Sequence, residues 1–178
     1  MLSDAGQQTL VKWNFISSVI PALPATITLP TDGALHVGGQ VLNPLKLTVD
    51  DLKNNYATQK ADVTYLNGTQ TVTASFSGVY LRDILDAAEV NYNPDVKNDT
   101  LNLYIVATGS DGYQAIIAYG DIDPNFGNMP VMVAYEQDGN ALTDTVPMRL
   151  VVPGDKHGGR YVSNLVSLEV RHGPVIGR

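Results

Sequence analysis

The 178-residue chain contains no cysteine, which excludes disulfides, thiolate metal ligation and a cysteine nucleophile within it. Charge is scarce too: only 16% of residues are charged, and 11 Lys plus Arg stand against 18 Asp plus Glu. The net charge of −7 argues against a general attraction to nucleic acid or to an anionic membrane surface, so any anion site has to be local. No apolar run reaches the roughly 20 residues that a membrane span needs. The most apolar N-terminal stretch, LVKWNFISSVIPAL, is broken by Lys12, Asn14 and Pro21. A signal peptide is not expected either, because Asp4 stands where positive charge belongs and no A-x-A-like site follows. Internal repeats, low-complexity linkers and the G-x-S-x-G pattern of a serine hydrolase are also missing.

What remains is a chain that is 44% hydrophobic, enough for one domain with a sizeable core. Thr, Asn, Gly and Tyr are plentiful, which suits strands joined by turns. The Pro-spaced stretch PALPATITLP, residues 21–30, reads as extended, so residues 1–34 are expected to form a leader strapped along a single domain of residues 35–178. ALHVGGQV reads as a short strand with a bulge at Gly38-Gly39. Thr48 followed by Asp51 forms a capping-box pattern that opens a short helix in LTVDDLKNNY. ADVTYLNGTQTVTASF alternates apolar and polar residues around Asn67-Gly68, a strong hairpin signal. In SGVYLRDILDAAEV, Val79, Leu81, Ile84, Leu85 and Ala88 share one helical face. Five strand-like runs follow: LNLYIVATG, YQAIIAYG, PVMVAYEQ, MRLVVPG and YVSNLVSLEV. The sum predicts a mixed, sheet-dominated α+β domain with a few short helices.

The segments HVGGQVLNPLKLTVDDL, FSGVYLRDIL, GSDGYQAIIAYGDI, MVAYEQDGNAL, PMRLVVPG and GGRYVSNLVSLEV occur in this order. Over roughly residues 35–171 the order resembles the molybdopterin-binding domain of sulfite-oxidase-like oxidoreductases. The resemblance implies that family's fold, and molybdopterin or another pterin as its ligand. It also implies a cysteine ligand to molybdenum in the stretch ADVTYLNG, where Asp62, Val63, Thr64, Tyr65 and Leu66 supply no sulfur. An Arg-Asn-His run that helps hold the pterin in the family is missing from VIPALPATITLP. The family pattern Gly-x-Arg-His-Val-Lys-Trp falls on Gly158, Gly159, Arg160, Tyr161, Val162, Ser163 and Asn164, keeping the arginine but not the lysine or tryptophan.

The loop PGDKHGGRYVSN therefore admits two readings. In one, the backbone N–H groups of Gly158 and Gly159 and the fork of Arg160 cradle a phosphate or carboxylate, with His157 and Lys156 at the rim and Ser163 completing the cofactor-binding set. In the other it is a tight turn in which the glycines supply positive φ and the basic side chains are solvated. GDIDPNFGN places Asp121, Asp123 and Asn125 at alternate positions, but Pro124, the late Gly127 and the missing twelfth-position Glu favour an ordinary turn over a calcium loop. His36 and His172 lack a second ligand at metal spacing and read as solvated or structural. Tyr65 reads as hairpin packing rather than as a ligand.

Three functions follow. The first is a pterin or small-anion binding domain without molybdenum redox catalysis, since the thiolate is absent. Its alternatives are an active molybdopterin-dependent oxidoreductase, and a structural or protein-interaction module that uses tyrosines such as Tyr56, Tyr65, Tyr80, Tyr92 and Tyr161 as anchors. No catalytic or metal-ligating residue is assigned. The resemblance together with the lack of cysteine suggests a periplasmic or extracellular location.

Overall fold

The computed structural model describes residues 28–174, so most of the expected 1–34 leader lies outside the described residues. Of the leader's end, Leu29 packs half-buried against the core and Ala34 is buried. The described residues form two sheets. One contains β1 (Leu35–Gly39), β2 (Leu45–Leu47), β5 (Leu103–Gly109), β6 (Gln114–Ala118) and β10 (Leu165–His172), in the order β2-β1-β10-β5-β6. The other contains β3 (Gln59–Asn67), β4 (Gln70–Tyr80), β7 (Met132–Gln137) and β8 (Asn140–Ala141) in that order, with β9 (Arg149–Val151) also on β7. β1 and β10 are parallel and every other pair is antiparallel, which is the mixed, sheet-dominated α+β architecture expected.

Strand alternation builds the core. Leu35 and Val37 of β1, Ile105 and Ala107 of β5, and Leu168 and Val170 of β10 are buried from the first sheet. Ala74 and Phe76 of β4 and Met132 and Ala134 of β7 are buried from the second, in the same apolar cluster. Burying a side chain of Leu or Phe size stabilises by about 1.5–3 kcal/mol, so this shared core dominates the fold. Helix α1 (Val49–Asn55) begins where the Thr48/Asp51 pattern places it: Thr48 Oγ1 accepts from the Asp51 N–H at 3.2 Å and Asp51 Oδ2 accepts from the Thr48 N–H at 2.8 Å. Helix α2 (Leu81–Ala88) packs on β4 and β7 through Leu81, Ile84, Leu85 and Ala88.

Several local expectations shift. Val79 belongs to β4 rather than to α2, because the Leu81 N–H bonds the Val131 carbonyl at 2.8 Å and the strand runs directly into the helix. The β3–β4 turn is centred on Gly68-Thr69, with Asn67 paired to Gln70, one residue later than the Asn67-Gly68 expectation. Only the first central residue, Gly68, has positive φ (61°), the pattern of a type II′ turn, which places Gly first. Gly38-Gly39 forms no bulge; β1 keeps regular register with β10 through both glycines. Gly39 is needed because its φ is +85° and a Cβ there would collide with the Val170 backbone. Within GDIDPNFGN the chain makes the short helix α3 (Tyr119–Ile122) before it turns.

Candidate functional site

Residues 152–164 leave β9, make a 3₁₀ turn at Gly158–Arg160 and return to β10. The segment is fastened to two strands and to the turn that precedes β6. The Leu66 N–H at the end of β3 donates to the Lys156 carbonyl at 2.9 Å, and Leu150 of β9 donates to the Val162 carbonyl at 2.9 Å. Beside β6, the Tyr113 hydroxyl donates to the Gly159 carbonyl at 2.5 Å. These bonds hold the loop between the two sheets.

His157, Gly158, Gly159, Arg160 and Ser163 are brought together along this loop, as their sequence proximity requires, but not around one empty point. His157 caps the 3₁₀ turn and is exposed. Neither glycine has positive φ, so the turn reading with left-handed glycines is corrected. Gly158 is required for space: a Cβ there would lie 2.9 Å from Tyr65 Cε2. Gly159 has no such neighbour.

Arg160 is already engaged. Its Nε donates to Asp155 Oδ2 at 2.9 Å and its Nη2 to Asp155 Oδ1 at 2.6 Å, the two-pronged pairing that fits guanidinium to carboxylate. Nη1 faces Asp121 Oδ2 at 3.5 Å. The Asp155 hydrogen bond and both carboxylate charges hold its proton more firmly than usual. One cation between two carboxylates is a weaker receptor for a further anion than an unpaired guanidinium.

Ser163 leads to a residue that sequence reasoning passed over. Its Oγ accepts from Arg149 Nε at 3.0 Å and from Nη2 at 2.6 Å. Arg149 is half-buried in β9 and, among the described residues, has no carboxylate within ion-pair distance. In MRLVVPG it looks like one polar position of a strand; the only signal was a charged residue flanked by Met148, Leu150, Val151 and Val152. Adjacent to it in charge terms is Tyr161, whose hydroxyl is buried without a hydrogen-bond partner. Burial pushes the Tyr161 phenol up to about 12, with Tyr65 adding to the shift and the Arg149 charge opposing it.

Tyr65, in the stretch where the family resemblance places a cysteine, stacks on Tyr161 with ring centroids 4.3 Å apart and planes 27° apart. Both rings are buried, and the Tyr65 edge lies against Gly158. The expected hairpin packing of Tyr65 thus extends across to the glycine loop.

The remaining candidates do not converge on a metal. Asp121 faces Arg160, while Asp123 accepts from the backbone and side-chain N–H groups of Asn125 at 2.8 and 3.0 Å. His36 bonds Asp32, and His172 bonds Asp99. Among the described residues no group of three or more His, Asp or Glu side chains is placed to hold a metal ion. Among the same residues no helix is long and apolar enough to cross a membrane.

Comparison with known proteins finds that the family described as oxidoreductase molybdopterin binding domain matches residues 22–176. A nitrate reductase [NADPH] of Fusarium oxysporum is 29% identical over 171 residues, which cover 80% of this chain and 18% of that protein. The sulfane dehydrogenase SoxCD of Paracoccus pantotrophus aligns with a TM-score of 0.62 at 23% identity, covering 81% of this chain and 39% of the solved chain. The chain therefore spans less than half the length of either relative.

Proposed function

Starting from the fact that this chain belongs to the oxidoreductase molybdopterin-binding domain family, we propose that it is a non-redox member that binds a small oxyanion of sulfate or phosphate size. The observation that carries the reading is Arg149: a half-buried guanidinium held by a neutral Ser163 hydroxyl, with no carboxylate opposite it among the described residues. The Tyr161 phenol, which feels the Arg149 charge, has a buried hydroxyl without a partner, the kind of polar atom that calls for a missing one. An oxyanion accepts from both Arg and hydroxyl donors and balances the charge.

The residues present fit the full molybdopterin cofactor poorly. No thiolate exists in the chain to bind molybdenum. The region that should carry it is a hairpin closed by a two-residue turn, and the Tyr65–Tyr161 stack occupies the space up to Gly158. Arg160 is consumed by Asp155. The same packing supports a second reading, a structural module whose former cofactor end is filled by side chains. A location outside the cytoplasm is part of the proposal, resting on family resemblance and the lack of cysteine, and cell fractionation tests it.

The deciding experiment is a thermal-shift titration with sulfate, sulfite, phosphate and a pterin, on the wild type, Arg149→Ala and Arg160→Ala. An oxyanion should raise the melting temperature of the wild type and of Arg160→Ala but not of Arg149→Ala, with the shift weakened by added salt. Loss in Arg160→Ala instead would return the site to the glycine turn. A larger shift with the pterin would overturn the small-ligand reading, and no shift with any compound would leave the structural module.

A further inference from the structure

The turn that joins β3 to β4 holds two residues outside the candidate site whose side chain and backbone can react with each other. Asn67-Gly68 is the only Asn-Gly pair in the chain, and every other asparagine is followed by a residue with a side chain. Both residues are exposed, and a Cβ built at Gly68 would meet nothing within 4 Å. The ladder ends at the Asn67↔Gln70 pair, so the Gly68 N–H has no backbone acceptor. Among the described residues no hydrogen bond engages the Asn67 side chain. An electrophile, the Asn67 amide carbon Cγ, and a nucleophile, the Gly68 nitrogen, therefore stand next to each other in the chain with no Cβ on the glycine to keep them apart.

The three Asp-Gly pairs offer the same glycine but a different neighbour. Asp32 accepts from the Ala34 N–H at 3.2 Å, Asp111 from the Tyr113 N–H at 2.9 Å and Asp138 from the Ser75 N–H at 2.8 Å. Such bonds hold each carboxyl in place, and a carboxylate, ionised at neutral pH, resists nucleophilic attack where a neutral carboxamide does not. Asn67 itself starts in extended pairing with Gln70, so its Cγ reaches the Gly68 nitrogen only when that pair opens. It is the last pair of the ladder, and a terminal pair at a loop tip opens at little cost in free energy.

We infer that Asn67 is a site of spontaneous covalent modification, by ring closure onto Gly68, and that one of its two products loosens the 152–164 loop. The Gly68 nitrogen gives its proton to base and attacks Asn67 Cγ. A bond forms between them, the bond from Cγ to the side-chain nitrogen breaks, and that nitrogen leaves as ammonia with a proton returned by water. Water then opens the five-membered imide at one of its two carbonyls. Opening at Cγ gives an ordinary aspartyl residue, while opening at the backbone carbonyl carbon gives an isoaspartyl link whose main chain runs through Cβ and Cγ. Both products add a negative charge, but only the isoaspartyl link lengthens the main chain at the turn. One residue earlier, the Leu66 N–H donates to the Lys156 carbonyl at 2.9 Å and Leu66 bridges His157. The isoaspartyl form thus weakens the hold of β3 on the loop, whereas the aspartyl form keeps the backbone and leaves that hold intact. The reaction leaves Arg149, Ser163 and Tyr161 uninvolved and proceeds whether or not an anion binds beside them.

Incubating the folded full chain in mild alkali and mapping its peptides by mass spectrometry over time tests this, because exchange of ammonia for water raises the mass of the modified peptide. The gain should appear first in the peptide that holds Asn67, faster as pH rises, with isoaspartate detected by enzymatic methylation in the same peptide. Both signals should vanish in Asn67→Gln, whose longer side chain would have to close a six-membered ring; an unchanged melting temperature of that variant separates loss of reaction from loss of fold. An Asn67 peptide that gains mass no faster than the peptides of the other asparagines would overturn the inference. Hydrogen exchange of the Leu66 amide tests the link to the loop: it should quicken in the isoaspartyl fraction and stay at the wild-type rate in Asn67→Asp. Equal exchange in the unmodified, isoaspartyl and Asn67→Asp proteins would sever that link.

Discussion

His172 lies with Nε2 3.0 Å from Asp99 Oδ1, while its Nδ1 faces the Gly173 carbonyl at 2.7 Å. Both ring nitrogens meet acceptors, so only the imidazolium satisfies both contacts. The Gly173 carbonyl, and after it Asp99, raise the His172 pKa above 6.5. The Asn93 N–H, and after it His172, lower that of Asp99 below 3.8. The histidine contribution to stability is complete below pH 6.5 and fades as pH rises through the raised value; the Asp99 contribution is complete above pH 3.8 and fades as pH falls through the lowered one. Between these limits the clamp is at full strength. Melting curves of wild type and His172→Ala should differ most near pH 5–6 and converge in mild alkali. A gap that stays constant up to pH 9 would show that the imidazolium is not what stabilises.

Gly158 and Gly159 should respond differently to alanine. At Gly158 the new methyl meets the Tyr65 ring, and crowding of a packed interior typically costs about 1–3 kcal/mol. At Gly159 the space is open, so the change should stay within about 0.5 kcal/mol. Urea unfolding measures both, and near-UV circular dichroism should report a disturbed tyrosine stack in Gly158→Ala alone.

The Tyr161 hydroxyl is buried without a protein partner, and removing such a group relieves a desolvation cost. Tyr161→Phe should therefore stabilise the ligand-free protein by about 1 kcal/mol, a rise of roughly 2–4 °C in melting temperature. If the oxyanion reading is right, the same variant narrows the stabilisation that sulfate or phosphate gives.

Arg160 and Asp155 form a half-exposed ion pair, so its worth is modest despite the good geometry. A double-mutant cycle with Arg160→Ala and Asp155→Ala should give a coupling of about 0.5–1 kcal/mol, falling in high salt. Zero coupling would mean that the fork does not form in solution and that Arg160 is free for a ligand after all.

The legible features were those governed by nearby residues. The Thr48/Asp51 cap acts over three residues, and the helical face of Leu81, Ile84, Leu85 and Ala88 is set by periodicity, so both could be read directly. The β3–β4 turn missed by one residue because Asn67-Gly68 is a strong signal, yet register put Asn67 opposite Gln70 and left Gly68 to take the positive φ. The site was less legible for a physical reason. Whether Arg160 or Arg149 carries free positive charge depends on where Asp155, Asp121 and Ser163 come to rest, and that is decided by a loop pinned to both sheets. Two arginines alike in composition thereby acquire opposite electrostatic surroundings.

β10 lies at the centre of its sheet, between β1 and β5, although it is the last described strand in the chain. During synthesis β1 would emerge more than a hundred residues ahead of the strand that it pairs with. Until then β1 can hold only β2, and β5 only β6, as two separate hairpin-like fragments with a gap where the parallel partner belongs. Such long-range closure slows folding and leaves strand edges exposed while it waits. The half-made sheet is thus the stage at which the chain exposes most unpaired strand edge, and loss of residues 165–172 would leave this sheet as two separate hairpin-like pieces, β1 with β2 and β5 with β6.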